Sequence, residues 1–206
     1  MPNWCENYLQ VNGELKDLES FKQEVKGEEE WIDFNKIISN EETKIESKKT
    51  WNTMTEEEKK RWFMFEKDEQ AAFNSYWFNN VGYNWQIDNW GTKWQSNISE
   101  PETQGDALMY VFDSAWSPPI PIIQSLIKKY PKLRFYFEYE EPGCCFAGEL
   151  TGENGEILID EYWKTESEEC PECEQWNTKK KGEEFFECSE CGNEYKEVVK
   201  NEKENV

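Results

Sequence analysis

Residues 117–140 read SPPIPIIQSLIKKYPKLRFYFEYE, and the hydrophobic period changes in the middle of them. Up to Pro131 the pattern predicts a helix: Ser117 caps it, Pro118 occupies its first turn, Ile123, Ile127 and Tyr130 line one side, and Pro131 stops it. From Leu133 the period is two, with Leu133, Phe135, Phe137 and Tyr139 alternating against Arg134, Tyr136, Glu138 and Glu140, which predicts a strand with one buried face. A helix feeding a half-buried strand reads as the closing half of a layered α+β unit, so its opening half is sought upstream.

WCENYLQV (4–11) alternates, with Cys5, Leu9 and Val11 on one face and Trp4, Tyr8 and Gln10 on the other, and predicts the first strand. ELKDLESFKQEV (14–25) follows with a helical stripe of Leu15, Leu18, Phe21 and Val25. After the irregular stretch EEEWIDFNKIISN (28–40), Thr55 and Glu58 make a capping-box pattern ahead of a long helix over 56–79, whose apolar positions include Trp62, Phe65, Phe73, Tyr76 and Trp77. NWGTKWQSN (89–97) and DALMYVFDSAW (106–116) are predicted to form two strands around a polar turn containing Pro101 and Gly105. CCFAGELTGENGEILIDEYW (144–163) is predicted to form a last hairpin turning at Asn154-Gly155. The expected fold is α+β: a ferredoxin-like split-βαβ sandwich over 1–163, with a helical insertion at about 28–84 and a C-terminal β-hairpin. A polar linker at 164–169 then leads to a small zinc ribbon over 170–206.

That last segment carries the clearest chemical signal. Cys170, Cys173, Cys188 and Cys191 form C-x2-C, fourteen intervening residues, and a second C-x2-C, the spacing by which two tight turns bring four thiolates to one tetrahedral metal ion. Gly192 follows the second pair and can supply the positive φ that such a turn often demands, whereas Glu174 stands at the equivalent place after the first. The apolar residues around the pairs, Phe185, Phe186, Tyr195, Val198 and Val199, are too few to hold a fold, so one structural zinc is expected to replace a core. Iron held as in rubredoxin is the competing metal, because sulfur-only tetrahedral ligation suits both. Lys179, Lys180 and Lys181 are expected to screen the negative charge of the thiolates.

Composition narrows the function. There are 44 acidic and 23 basic residues, a net charge of −21, and Arg61 and Arg134 are the only arginines, so polyphosphate partners are disfavoured and a basic protein partner is not. The 11 Trp, 12 Phe and 9 Tyr argue for a packed interior despite the high charge. No apolar run is long enough to cross a bilayer and the segment MPNWCENYLQ has no basic region followed by an apolar core, so no membrane association is expected and the compartment is read as cytoplasmic. Histidine is absent, which removes Ser-His and Cys-His chemistry.

Taken in order, PNWCENYLQVNG, DFNKII, NWGTKW, AWSPPIP and EYEEPGCCFAG resemble the YubB-type ferredoxin-like domains of plasmid and phage proteins. The resemblance runs from residue 2 to about 163 and implies a fold and a mobile-element setting, but no reaction and no catalytic residues. The cysteine tail lies outside it.

Three functions remain to be weighed. The leading one is a non-enzymatic, acidic protein-interaction module of a phage or mobile element, stabilised by zinc and engaging a basic host nucleic-acid-handling protein. The first alternative is single-stranded nucleic-acid binding, with bases stacked on Tyr8, Tyr110, Phe112 and Tyr136 of an open sheet face; against it, the insertion helix is expected to cover that face. The second is an enzyme in which Lys93 works with Asp88, Asp113 and Glu149. Trp90, Lys93, Trp94 and Trp116 are the candidate ligand or interaction surface, while Cys5, Cys144 and Cys145 are read as small packing residues rather than redox groups.

Overall fold

The computed structural model describes residues 3–39, 54–63, 71 and 82–196. Its elements are β1 (Trp4–Asn12), α1 (Leu15–Val25), α2 (Phe34–Ile37), α3 (Glu56–Phe63), α4 (Tyr83–Trp90), β2 (Glu102–Gln104), β3 (Ala107–Ala115), α5 (Ile120–Lys129), β4 (Arg134–Glu141), β5 (Phe146–Glu153), β6 (Glu156–Glu169), β7 (Trp176–Lys180), β8 (Phe186–Glu187) and β9 (Glu194–Tyr195). The main sheet runs β2-β3-β1-β4-β5-β6-β7, and its pairings are antiparallel. Its first four strands, with α1 and α5 as crossovers, are the split-βαβ arrangement, so the fold is α+β and ferredoxin-like; β5 to β7 extend the sheet.

One face of the sheet makes the core. Leu9 and Val11 of β1, Leu108, Tyr110 and Phe112 of β3, and Phe135, Phe137 and Tyr139 of β4 are buried together with Leu18, Phe21 and Val25 of α1 and Ile122, Ile123, Leu126 and Ile127 of α5. Leu15, expected in the stripe of α1, is 61% exposed, because it stands at the first position of the helix, where the stripe has not yet turned onto the sheet. Asn154 and Gly155 both have positive φ (57° and 78°), the geometry that a two-residue turn needs to follow strand twist, and they join β5 to β6 as expected.

Among the described residues no sheet strand lies between α1 and β2, so the excursion spans 26–101, wider than the expected 28–84. Its two stems are stitched to each other. Gln95 donates through Nε2 to the Ile32 carbonyl (2.9 Å) and accepts through Oε1 from the Phe34 N–H (2.8 Å), while the Trp31 N–H donates to the Ile98 carbonyl (3.1 Å). The helix expected over 56–79 is described over 56–63; Phe65, Phe73, Tyr76 and Trp77 fall outside the described residues.

The stretch 89–97 is not a strand. Its first residues end α4, which Gly91 terminates in the left-handed conformation (φ 82°), and side chains rather than a ladder then satisfy the backbone. A Cβ on Gly91 would lie 2.7 Å from Pro121 Cδ and 2.9 Å from the Pro118 carbonyl oxygen, so the close approach also requires glycine. Thr92 Oγ1 donates to the Ala115 carbonyl (3.0 Å) and accepts from the Ala115 N–H (3.1 Å). Ser117 donates to the Gly91 carbonyl and does not cap α5, whose N-cap is Pro119. The strings NWGTKW and AWSPPIP thus form one latch between the insertion and the end of β3. Replacing buried Thr92 by Val leaves both Ala115 groups without this partner and is expected to cost about 1–3 kcal/mol, read as a fall in the urea midpoint at unchanged slope.

Residues 164–169, expected as a linker, are the second half of the continuous strand β6 and pair with β7, from Thr165 with Lys180 to Glu169 with Trp176. The polar composition that suggested a linker belongs instead to a partly buried strand paired with β7. Among the described residues no helix is long and apolar enough to cross a membrane.

Candidate metal centre and acidic sheet face

Two matching turns present the four cysteines. In the first, the Cys170 N–H donates to the Gln175 carbonyl (2.8 Å) and the Glu174 N–H to the Cys170 carbonyl (2.9 Å); in the second, the Cys188 N–H donates to the Asn193 carbonyl (2.9 Å) and the Gly192 N–H to the Cys188 carbonyl (2.8 Å). Both turns pass through the left-handed region, at Glu174 (φ 61°) and Gly192 (φ 70°); the first therefore carries a strain on the order of 1 kcal/mol that the second avoids.

The sulfurs of Cys170 and Cys191 are 3.7 Å apart, those of Cys173 and Cys188 3.5 Å apart, and the four lie within 4.8 Å of one another. A tetrahedron with bonds of about 2.3 Å has edges of about 3.8 Å, whereas a disulfide needs about 2.05 Å, so the donor set fits one metal ion. Without metal the cluster is electrostatically uneven. The backbone N–H of Cys191, aided by that of Glu190, holds the Cys188 thiol down to about 6. At Cys173 the Gln175 N–H pulls the same way but is outweighed by proton sharing with Cys188 and by burial, which push it up to about 12.

Beneath the cysteines, the Phe186 and Tyr195 rings stack with centroids 5.3 Å apart, while Phe185 is exposed and Val198 and Val199 lie outside the described residues. Tyr195 donates to the Glu168 carbonyl (3.1 Å) and accepts from Asn177 Nδ2 (3.2 Å), which ties the module to β6 and β7. The lysines also contribute to this tie. Lys179 pairs with Glu166 (2.7 Å) and lies over the Phe186 ring, and Lys180 lies over the Trp163 ring at 4.5 Å, so these two link the ribbon to β6 through specific side-chain contacts. Each ammonium has found an aromatic or a carboxylate on the strand beside it.

The sheet face opposite α1 and α5 has a different character. Register aligns its side chains in rows across the strands: Asp113, Glu6, Glu140, Ala147 and Trp163 form one, and Val111, Tyr8, Glu138, Glu149 and Glu161 the next. Asp113, Glu6 and Glu140 are direct cross-strand neighbours, as are Glu138, Glu149 and Glu161, and like charges so placed repel. Among the described residues none of the six forms an ion pair. Tyr136 donates to Glu138, and burial followed by this bond raises the phenol above its ordinary range. Glu140 Oε1 is buried without a hydrogen-bond partner. Val111 is 74% exposed, and a groove of about 340 Å³ is lined by Glu6, Tyr8, Val111, Glu138, Glu140 and Trp163. Glu149 is the middle member of its ladder, so Glu149→Gln removes two repulsions, each worth about 0.2–1 kcal/mol, and is expected to raise the Tm at low salt.

The helix expected to cover this face is described only over 56–63, so most of that expected cover lies outside the described residues. The described parts of the insertion pack with the helices, and of the four aromatics proposed to stack bases, Tyr110 and Phe112 are core while Tyr8 and Tyr136 remain on the open face. The proposed surface of Trp90, Lys93, Trp94 and Trp116 also divides. Trp90 is core, 2% exposed, with Nε1 donating to the Ile38 carbonyl (3.0 Å). Lys93 lies over the Tyr83 and Trp94 rings (4.9 and 5.5 Å), and Trp94 meets Trp4 edge-on. Trp116 is 45% exposed at a positive φ of 71°.

Lys93 makes no ion pair with Asp88, Asp113 or Glu149 among the described residues. Asp113 and Glu149 stand on β3 and β5 with β1 and β4 between them, three strand spacings or about 14 Å, too far to serve one reacting centre. Burial pushes the Cys5 thiol up to about 12, and the Glu141 carboxylate raises that of Cys144, so neither is activated as a nucleophile. Sequence reasoning missed the carboxylate ladders. The alternation of Glu6, Glu138 and Glu140 with core residues was their visible signal, but the strand order that makes them neighbours was not.

No protein of curated function matches the chain. The crystal structure of protein Api92 from Yersinia pseudotuberculosis is 12% identical, with 79% of this chain and 98% of that one covered at a TM-score of 0.48. The family model of the ferredoxin-like domain in Api92-like protein matches residues 89–186, a stretch that continues past 163 and takes in Cys170 and Cys173 but not Cys188 and Cys191. From the end of α4 to the start of β8, the chain is thus similar to the ferredoxin-like domain of Api92-like proteins.

Proposed function

We propose that the chain is a non-enzymatic, acidic protein-interaction module that acts in the cytoplasm, with one zinc ion held by Cys170, Cys173, Cys188 and Cys191 and a basic protein as partner. The observation that carries this reading is the exposed sheet face, where two carboxylate ladders face solvent with no ion-pair partner among the described residues. A face of that charge repels phosphates and attracts cationic protein surface. The resemblance to YubB-type domains supports a mobile-element setting, in which a nucleic-acid-handling protein of the host is the natural class of basic partner. Four protein thiolates leave no open position, so the ion is structural, and zinc is favoured over iron because such a module needs a stable clamp rather than a redox centre. Single-stranded nucleic-acid binding retains Tyr8 and Tyr136, but Glu6, Glu138 and Glu149 surround them.

The test has two arms: capture from a bacterial lysate followed by protein identification, and titration of a labelled single-stranded oligonucleotide. The reading expects strongly basic proteins that elute as salt rises, and no oligonucleotide binding at physiological salt. Oligonucleotide binding, or the absence of any salt-sensitive basic partner, contradicts it.

A further inference from the structure

Resting on that reading, we propose that the open face is the docking site of a Lys/Arg-rich amphipathic helix from the partner, laid across β3, β1, β4, β5 and β6. Three features select this occupant. Every central strand is already paired on both sides, so the face offers no backbone hydrogen bonds. An extended peptide lying there would leave its own N–H and C=O groups unmet, whereas a helix arrives with them satisfied.

Charge then sets the composition of the helix. Asp113, Glu6 and Glu140 run from β3 to β4, and Glu138, Glu149 and Glu161 from β4 to β6, so the ladders form a staggered acidic band meeting on β4. Four strand spacings make the band about 19 Å long, matched by about 13 helical residues. Between the carboxylates, Val111, Tyr8, Ala147 and Trp163 provide the apolar floor for the uncharged positions of such a helix.

The face already accepts a cation from this chain. Lys180 of β7 sits over the Trp163 ring at 4.5 Å, which demonstrates ammonium-on-indole contact at the band's outer end. Glu140 Oε1 has no hydrogen-bond partner, and a turn of the half-buried carboxylate toward the face offers it to an incoming Lys or Arg.

The probe is a fluorescein-labelled synthetic helix of Lys, Arg, Leu and Ala, about 14 residues long to match the band, titrated into the full chain. Glu6→Gln/Glu138→Gln/Glu140→Gln is expected to weaken binding at least about tenfold, while Glu14→Gln/Glu19→Gln/Glu28→Gln, which removes the same charge from elsewhere on the surface, changes it less than about twofold. Unchanged near-ultraviolet circular dichroism and a Tm no lower than wild type show that the face variant folds. Equal losses in the two triple variants overturn the docking site but leave the acidic interaction module standing. So does failure of the wild type to bind the peptide while basic proteins are still captured from lysate. A homodimer in light scattering that the face variant dissolves assigns the face to a second copy and also overturns the proposal.

Discussion

Removal of metal is expected to release one ion per chain and to melt residues 170–196 while the sheet from β1 to the first half of β6 stays folded. The reason is the size of the ribbon's own core. Cys170, Phe186, Cys188 and Tyr195 are its buried cluster, and two of these four are ligands. Phe186 and Tyr195 cannot offset the entropy of ordering the segment, whereas a structural zinc site contributes on the order of 10–16 kcal/mol. Elemental analysis with and without a strong chelator reads the ion, and hydrogen exchange reads the fold. Protection is expected to vanish at Cys170, Glu174, Cys188 and Gly192, whose N–H groups close the two turns, and to persist at Leu9 and Phe137. Cys188→Ser is expected to reproduce the loss. Full protection of the turns in metal-free protein contradicts the assignment.

Phe137→Ala is expected to destabilise the body by roughly 3–5 kcal/mol. Phe137 is fully buried on β4 at the centre of the sheet, directly opposite Leu9 on β1 and Leu150 on β5, both also fully buried. Strands on each side hold the backbone in register, so the cavity left by the ring cannot close by a local shift. The paired control is Val111→Ala, two strands away on β3 and 74% exposed on the opposite face, for which the change should stay within about 0.5 kcal/mol. Urea unfolding of the two variants measures the contrast. Comparable losses would mean that both faces of the sheet are buried, which the open-face account does not allow.

How far the sequence was legible follows from which interactions are local. The period of two in Leu133–Glu140 and the helical stripe of Ile123 and Ile127 depend on near neighbours, and β4 and α5 stand where those patterns put them. The Asn154-Gly155 turn and the cysteine spacing are similarly local, and both turns of the ribbon form. Residues 89–97 misled because Trp90, Thr92 and Trp94 alternate as in a strand, while the deciding features are Gly91 ending a helix and Thr92 reaching Ala115, 23 positions away. Residues 164–169 misled because composition alone does not separate a polar linker from a polar strand; the pairing with β7 is what makes it one. The acidic band was the least visible, since its members come from five strands and become neighbours only through a sheet order that no short window contains.

The central claim is that the face of the sheet opposite α1 and α5 receives cationic polypeptide. Two-dimensional NMR of labelled protein titrated with the basic helical peptide tests it most directly, read at the Val111 methyls and the Trp163 indole, with the Leu126 methyls of α5 as the reference. The account predicts saturable shifts at Val111 and Trp163, none at Leu126, and none anywhere from a single-stranded oligonucleotide at physiological salt. Shifts confined to the helix side, or produced at Val111 and Trp163 by the oligonucleotide, would contradict it.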